Sequence, residues 1–156
     1  MLEHYIHSLE YNKWANSLII KSLSENSPAN QKVFSIVSHL IIAQILWLNR
    51  VKKETYEYRD FWQILSMKEL ENLSERNTSD WILYLRSQNG KDLQKQYSYV
   101  NSKGKAYTNT LAQVITHLIN HSTYHKGQIA YLLRAENIAP PLTDYIAFTR
   151  YYNPDS

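Results

Sequence analysis

Helix breakers are scarce in this chain. Its 156 residues include three glycines and four prolines, so long stretches contain nothing that would stop a helix. Four long helices are predicted. The first covers about residues 2–24, with Leu2, Tyr5, Ile6, Leu9 and Leu18 at helical spacing, and ends at Asn26-Ser27-Pro28. The second covers about 34–53, with Ile36, Leu40, Ala43 and Trp47 on one face. The third opens at Ser66, where Ser66 and Glu69 spell a capping box, and continues through Leu70, Leu73, Trp81, Tyr84 and Leu85 to about residue 94. Asn77-Thr78-Ser79-Asp80 is poor helix-interior sequence and a candidate break in it. The fourth runs from about 111 to 136. Thr110 and Gln113 suggest a second capping box, Asn137 a stop, and Pro140-Pro141 cannot continue the helix.

One segment reads differently. Residues 97–109 alternate aromatic or apolar with polar side chains around Gly104, the pattern of a β-hairpin. A short last helix is expected over about 143–151. The fold class that follows is all-α: a four-helix bundle with a small β-hairpin before the last long helix, one domain over residues 1–156. The composition, 44 % hydrophobic and 20 % charged, suits a chain with a buried core.

Several function classes recede. The net charge is only +3 and no basic run collects it, which speaks against nucleic acid as a partner. Without cysteine there is no disulfide, thiolate ligand or thiol nucleophile, and a cytoplasmic location is expected. The N-terminus does not read as a signal peptide. The longest apolar stretch, residues 40–48, is too short to span a bilayer, so no membrane association is expected.

Half of the six histidines lie in THLINHSTYHKGQ (116–128): His117, His121 and His125, each four residues from the next. At about 100° per residue they share one helix face, with Tyr124 and Gln128 near the same stripe. Adjacent pairs are separated by about 6 Å along the axis and the outer pair by about 12 Å. Imidazole nitrogens must each lie about 2.0–2.1 Å from a shared metal. This helix therefore offers at most two ligands to one ion, and His121 belongs to either pair. Further ligands must come from elsewhere, and His39, in the apolar run SIVSHLIIAQILWL, is the best candidate. The plainer reading of His39 is a core imidazole with a hydrogen-bond partner. His4 and His7 read as surface residues. Gly127, costly inside a helix, is best explained by a close helix–helix contact. The aromatic-rich ETYEYRDFWQIL, with Tyr56, Tyr58, Phe61 and Trp62, either covers a site or packs, and packing is the commoner use of such residues.

These pieces resemble a known family. NHSTYHKGQIAYLLR (120–134) is similar to the signature of the DinB-like metalloprotein superfamily, also called DinB/YfiT. YNKWAN (11–16) resembles its first-helix start, and VSHLIIAQILWLNR (37–50), with Trp47, its second-helix histidine segment. The hairpin and the Pro-rich exit into TDYIAF (143–148) match as well. The resemblance implies a four-helix bundle holding a divalent metal ion, zinc or nickel, on His39, His121 and His125. His117, Tyr124, Gln128 and Gln44 then become residues that support the ligands or face the substrate. The chain departs from the family pattern at Lys126, where arginine is usual, and at Gln44, where an acid is frequent.

What the resemblance implies about activity is a metal-dependent enzyme with an open three-histidine site. It would activate water or a low-molecular-weight thiol, such as bacillithiol or mycothiol, in a transferase or hydrolase reaction. No residue stands out as the general base. The alternative is a non-catalytic metal-binding or stress-response module. A small-molecule substrate and a homodimer are the partners expected from relatives.

Overall fold

Most helix ends have a local cause. The computed structural model describes residues 1–55, 60–101 and 103–152. It contains the helices Leu2–Asn26 (α1), Gln31–Lys52 (α2), Met67–Arg86 (α3), Leu111–Ala135 (α4) and Tyr145–Tyr152 (α5), and the strands Gln96–Val100 (β1) and Ala106–Thr110 (β2). α1 ends in a left-handed Ser27, φ 45°, with Pro28 behind it. α2 begins three residues earlier than the apolar pattern suggests, because the Asn30 side chain caps it by accepting from the Lys32 amide. Both capping boxes form, Ser66 with Glu69 at α3 and Thr110 with Gln113 at α4. Past the end of α4 Asn137 takes φ 59°, and the Ile138 amide returns to the Leu133 carbonyl.

α3 departs from expectation twice. It runs unbroken through Asn77-Thr78-Ser79-Asp80, where Asn77 finds a tertiary partner and Ser79 a carbonyl of its own helix. Asn77 Nδ2 donates to Gln44 Oε1 at 3.1 Å, and the Ser79 hydroxyl donates to the Glu75 carbonyl. It also stops at Arg86, well short of residue 94. Asn89-Gly90 turns the chain there, held by the Asp92 carboxylate on the Asn89 amide, and a single 3-10 turn, Asp92–Gln94, leads into β1.

The hairpin pairs Gln96 with Thr110 through Val100 with Ala106. Gly104 occupies the left-handed region at φ 77°, where a side chain would be strained. Asn101 Oδ1 accepts from the amides of Lys103 and Lys105 and closes the turn.

Two apolar clusters fill the bundle. One joins Ile19, Ile20 and Leu23 of α1 with Val33 to Ile42 of α2, Leu70 of α3, and Ile129 and Leu133 of α4. The other joins Ile6 and Leu9 with Leu48, Val51, Trp81, Leu85 and Leu111 to Leu118. α1 and α4 therefore run parallel, with α2 and α3 both opposed to them. On each of the four long helices a buried polar residue falls between the two clusters: Asn12 and Asn16, Gln44, Asn77 and Thr78, Ser122 and Lys126. By length and composition α2 is apolar enough to cross a membrane, with mean hydropathy 1.4, but 61 % of that window is buried against the other helices. α5 docks on α1 through Phe148, which packs on Tyr11, Trp14 and His7. His7 is thus half-buried and paired with Glu10 at 3.5 Å, where a surface residue was expected.

Candidate metal centre

α2 and α4 lie antiparallel, so His39 on one meets the histidine stripe on the other. His39 Nε2 is 3.1 Å from His121 Nε2, and the ligand atoms of His39, His121 and His125 all lie within 4.8 Å of one another. Two imidazole nitrogens sharing one ion at about 2.0–2.1 Å stand roughly 2.9–3.4 Å apart for ligand–metal–ligand angles near 90–110°. The observed pair already has that spacing. Among the described residues no fourth histidine or carboxylate joins the group.

The far side of two of these rings is also arranged. His39 Nδ1 donates to the Phe61 carbonyl at 2.9 Å, and His125 Nδ1 donates to Gln128 Oε1 at 2.7 Å. A carbonyl and an amide oxygen only accept, so each Nδ1 carries the proton and each Nε2 is left with its lone pair. Such outer hydrogen bonds orient metal-binding imidazoles and raise their basicity. Burial, followed by the charges of His125, His39 and His117, pulls His121 down to about 3. Burial also lowers His39, against the opposing pull of the Phe61 carbonyl, and the charges of His125 and Lys32 lower it further. Both rings are therefore neutral at physiological pH, the form that binds a metal. The three imidazoles fit a divalent ion by donor type, His39 and His121 by spacing, and His39 and His125 by tautomer.

The loop after α2 supplies a wall. Trp62 stacks on His39 with centroids 4.0 Å apart and planes 4° apart, and Lys32 Nζ lies 4.7 Å over the indole. Phe61 packs on the core beneath. The loop thus both covers and packs, although packing alone was the leading expectation. Tyr56 and Tyr58 of that stretch lie outside the described residues. The only sequence signal for Trp62 was the aromatic run itself, and a backbone carbonyl such as that of Phe61 leaves none.

The other residues of interest scatter. His117 lies at the rim, 5.3 Å ring to ring from His121 and 5.5 Å from Trp47, and is not part of the three-histidine group. Trp47 in turn meets Tyr99 of the hairpin. Tyr124 is 65 % exposed beside His125. Gln44 turns the other way: it is buried, pairs with Asn77, and its carbonyl accepts from Trp81 Nε1. Gly127 is not in a tight helix contact, because a Cβ built there meets nothing within 4 Å. It borders a groove of about 470 Å³ lined by Lys32, Ile36, Tyr124, Gln128 and Tyr131, beside the histidines.

Comparison with known proteins agrees with this architecture. The sequence model of the DinB family matches residues 1–155. The chain belongs to the DinB family. Among curated DinB relatives, Protein DinB of Bacillus subtilis (strain 168) is 28 % identical over 153 residues, covering 87 % of this chain and 88 % of that protein. Among solved structures, a DinB-like protein from Bacillus cereus ATCC 10987 superposes with a TM-score of 0.62 at 19 % identity, over 90 % of this chain and 93 % of that one. The second likeness shows that the DinB fold is shared.

Proposed function

We propose that His39, His121 and His125 hold a divalent metal ion, zinc or nickel, and that the protein is a metal-dependent enzyme acting on a small molecule. The observation that carries this reading is the meeting of three imidazoles from two helices, two of them locked from behind into the ligating tautomer. A divalent ion with three protein ligands keeps a position open and favours the deprotonated form of a thiol or water bound there. The chain's own residues do the rest. Phe61 and Gln128 orient two ligands. Trp62 shields His39 from solvent on one side, and Lys32 adds positive potential that favours an anionic guest. The groove beside Tyr124 and Gln128 has the size of a small-molecule site. A transfer or hydrolysis reaction with a low-molecular-weight thiol or water as nucleophile suits this arrangement.

Metal analysis of protein purified without chelators or a metal-binding tag tests the site. The expected result is about one divalent ion per chain, largely lost in His121→Ala. Equal, substoichiometric metal in both would remove the site. Activity is tested by following thiol consumption with monochlorobimane. The metal-loaded protein should exceed the metal-free protein with at least one thiol. Equal rates with every thiol tried would leave a non-catalytic metal-binding module in place of an enzyme.

A further inference from the structure

Gly127 serves no contact inside the chain. A glycine in a helix interior costs about 1 kcal/mol relative to alanine. The space beside this one is open, so no neighbour in the protein requires its bare backbone. The surface around it is also unusual. None of the exposed residues of α4 from Gln113 to Tyr131 is Asp, Glu, Lys or Arg, whereas α3 exposes Lys68, Glu69, Glu71, Glu75 and Arg76. Two large rings stand on this uncharged face, Tyr124 at 65 % exposure and Tyr131 at 71 %. Uncharged surface with exposed aromatic rings marks a face that meets something other than water.

Spacing makes the two tyrosines a pair. Residues seven apart on a helix fall within about 20° of each other and about 10.5 Å apart along the axis. A planar group in van der Waals contact with a ring on either side needs about 7–8 Å. Between the tyrosines on this stripe lie Gly127, which has no side chain, and Gln128, which is bonded to His125. The opposite wall comes from α2. Ile36 is buried there, and Lys32 Nζ lies over the Trp62 ring that covers His39. Among the described residues no carboxylate lies within ion-pair distance of Lys32. Its charge is felt at His39. The groove of about 470 Å³ thus offers an apolar floor, two aromatic rings and one cation without a counter-charge. Ile36 and Gln128 in its wall are each about one helical turn from a proposed ligand, His39 and His125.

We propose that this groove holds the body of the substrate, and that the substrate is a flat aromatic compound bearing one anionic group. The ring system lies over Gly127 between Tyr124 and Tyr131, and the anion faces Lys32. As a substrate subsite the groove rests on the reading of the histidines as a metal centre; as a binding site it does not. Contact with tyrosine rings favours an aromatic guest over an aliphatic one of similar size.

Calorimetric titration of the full chain with 2-naphthalenesulfonate, 2-naphthol and octanesulfonate tests it, with and without metal. A sulfonate is a weak metal ligand, so it reports the groove and not the ion. The naphthalenesulfonate should bind at one per chain, about tenfold or more tighter than octanesulfonate. Gly127→Leu, which sets a side chain on the groove floor, should abolish binding of both aromatic probes without lowering the melting temperature or the metal content. Lys32→Gln should weaken the naphthalenesulfonate about two- to fivefold, the worth of an exposed ion pair, and leave 2-naphthol unchanged. Unaltered aromatic binding in Gly127→Leu, or equal affinity for octanesulfonate, overturns the proposal even where one metal ion per chain is found. Aromatic binding that follows these variants in a chain that holds no metal keeps the groove and overturns the metal centre instead. No binding of any probe overturns the proposal too, and a dimer by light scattering that Tyr131→Ser dissociates then gives the face to a second copy.

Discussion

His39 and Trp62 lie face to face, ring centroids 4.0 Å apart and planes 4° from parallel. The preceding residue, Phe61, holds the Nδ1 proton of the same imidazole through its carbonyl. Two consecutive loop residues thus set the orientation of a histidine 22 positions earlier. The contact gives the centre an optical reporter, since Trp62 is in van der Waals range of a proposed ligand.

Nickel binding should therefore quench tryptophan fluorescence, and Trp62→Phe should remove most of the quench. Trp81 is sealed in the second apolar cluster and bonded to the Gln44 carbonyl, so Trp81→Phe should leave the quench in place. An undiminished quench in Trp62→Phe would mean that the indole is not seated on His39.

Gln128 bonds His125 from behind. Gln128→Ala should weaken metal affinity by roughly 10–100-fold, the usual cost of losing such a partner. Gln128 is only half-buried, so the metal-free protein should melt within a few degrees of wild type. Competition against a chromophoric chelator measures the affinity, and equality with wild type would show that His125 needs no such support.

The metal-free protein should lose stability in acid. The ordinary histidine value is 6.5, His121 is held at about 3, and His39 is lowered by burial. Above about pH 6.5 these groups are neutral in both the folded and unfolded chain and contribute no pH dependence. Below it the unfolded chain takes up protons that the folded chain refuses, so stability falls as pH drops from about 6.5 toward 3, by at most about 1.4 kcal/mol per pH unit for each histidine. Urea midpoints at pH 7, 6 and 5 measure the slope. His121→Asn should flatten it, and an identical slope in that variant would contradict the shift at His121.

Gly127→Ala should stabilise the protein by up to about 1 kcal/mol, since α4 is helical there and the new methyl meets open space. Reduced metal or ligand binding in a stabilised variant would show that the glycine serves the groove. Loss of stability would mean that a neighbour approaches more closely than the structure shows.

Much of the scaffold was legible because its determinants act within a turn or two. The capping boxes at Ser66 and Thr110, the turn at Gly104 and the left-handed stop at Asn137 depend on nearby side chains and amides, and all appear where the sequence places them. Asn77 misled because propensity sees a polar residue in a helix and not the Gln44 that receives it. Gly127 misled in the same way, since its lack of neighbours is a property of the assembled bundle.

The sequence by itself determined an all-helical chain with one hairpin, and a stripe of three imidazoles on the last long helix, because spacing along a helix decides which side chains share a face. The sequence named His39 as the candidate to meet that stripe, and only the tertiary structure decided that it does, that Gln44 turns away while Phe61 and Trp62 turn in, and that a lysine ends up buried opposite an asparagine. Those outcomes depend on how α2 and α1 lie against α4, and helix packing is set by contacts between residues far apart in the chain, beyond the reach of any local pattern.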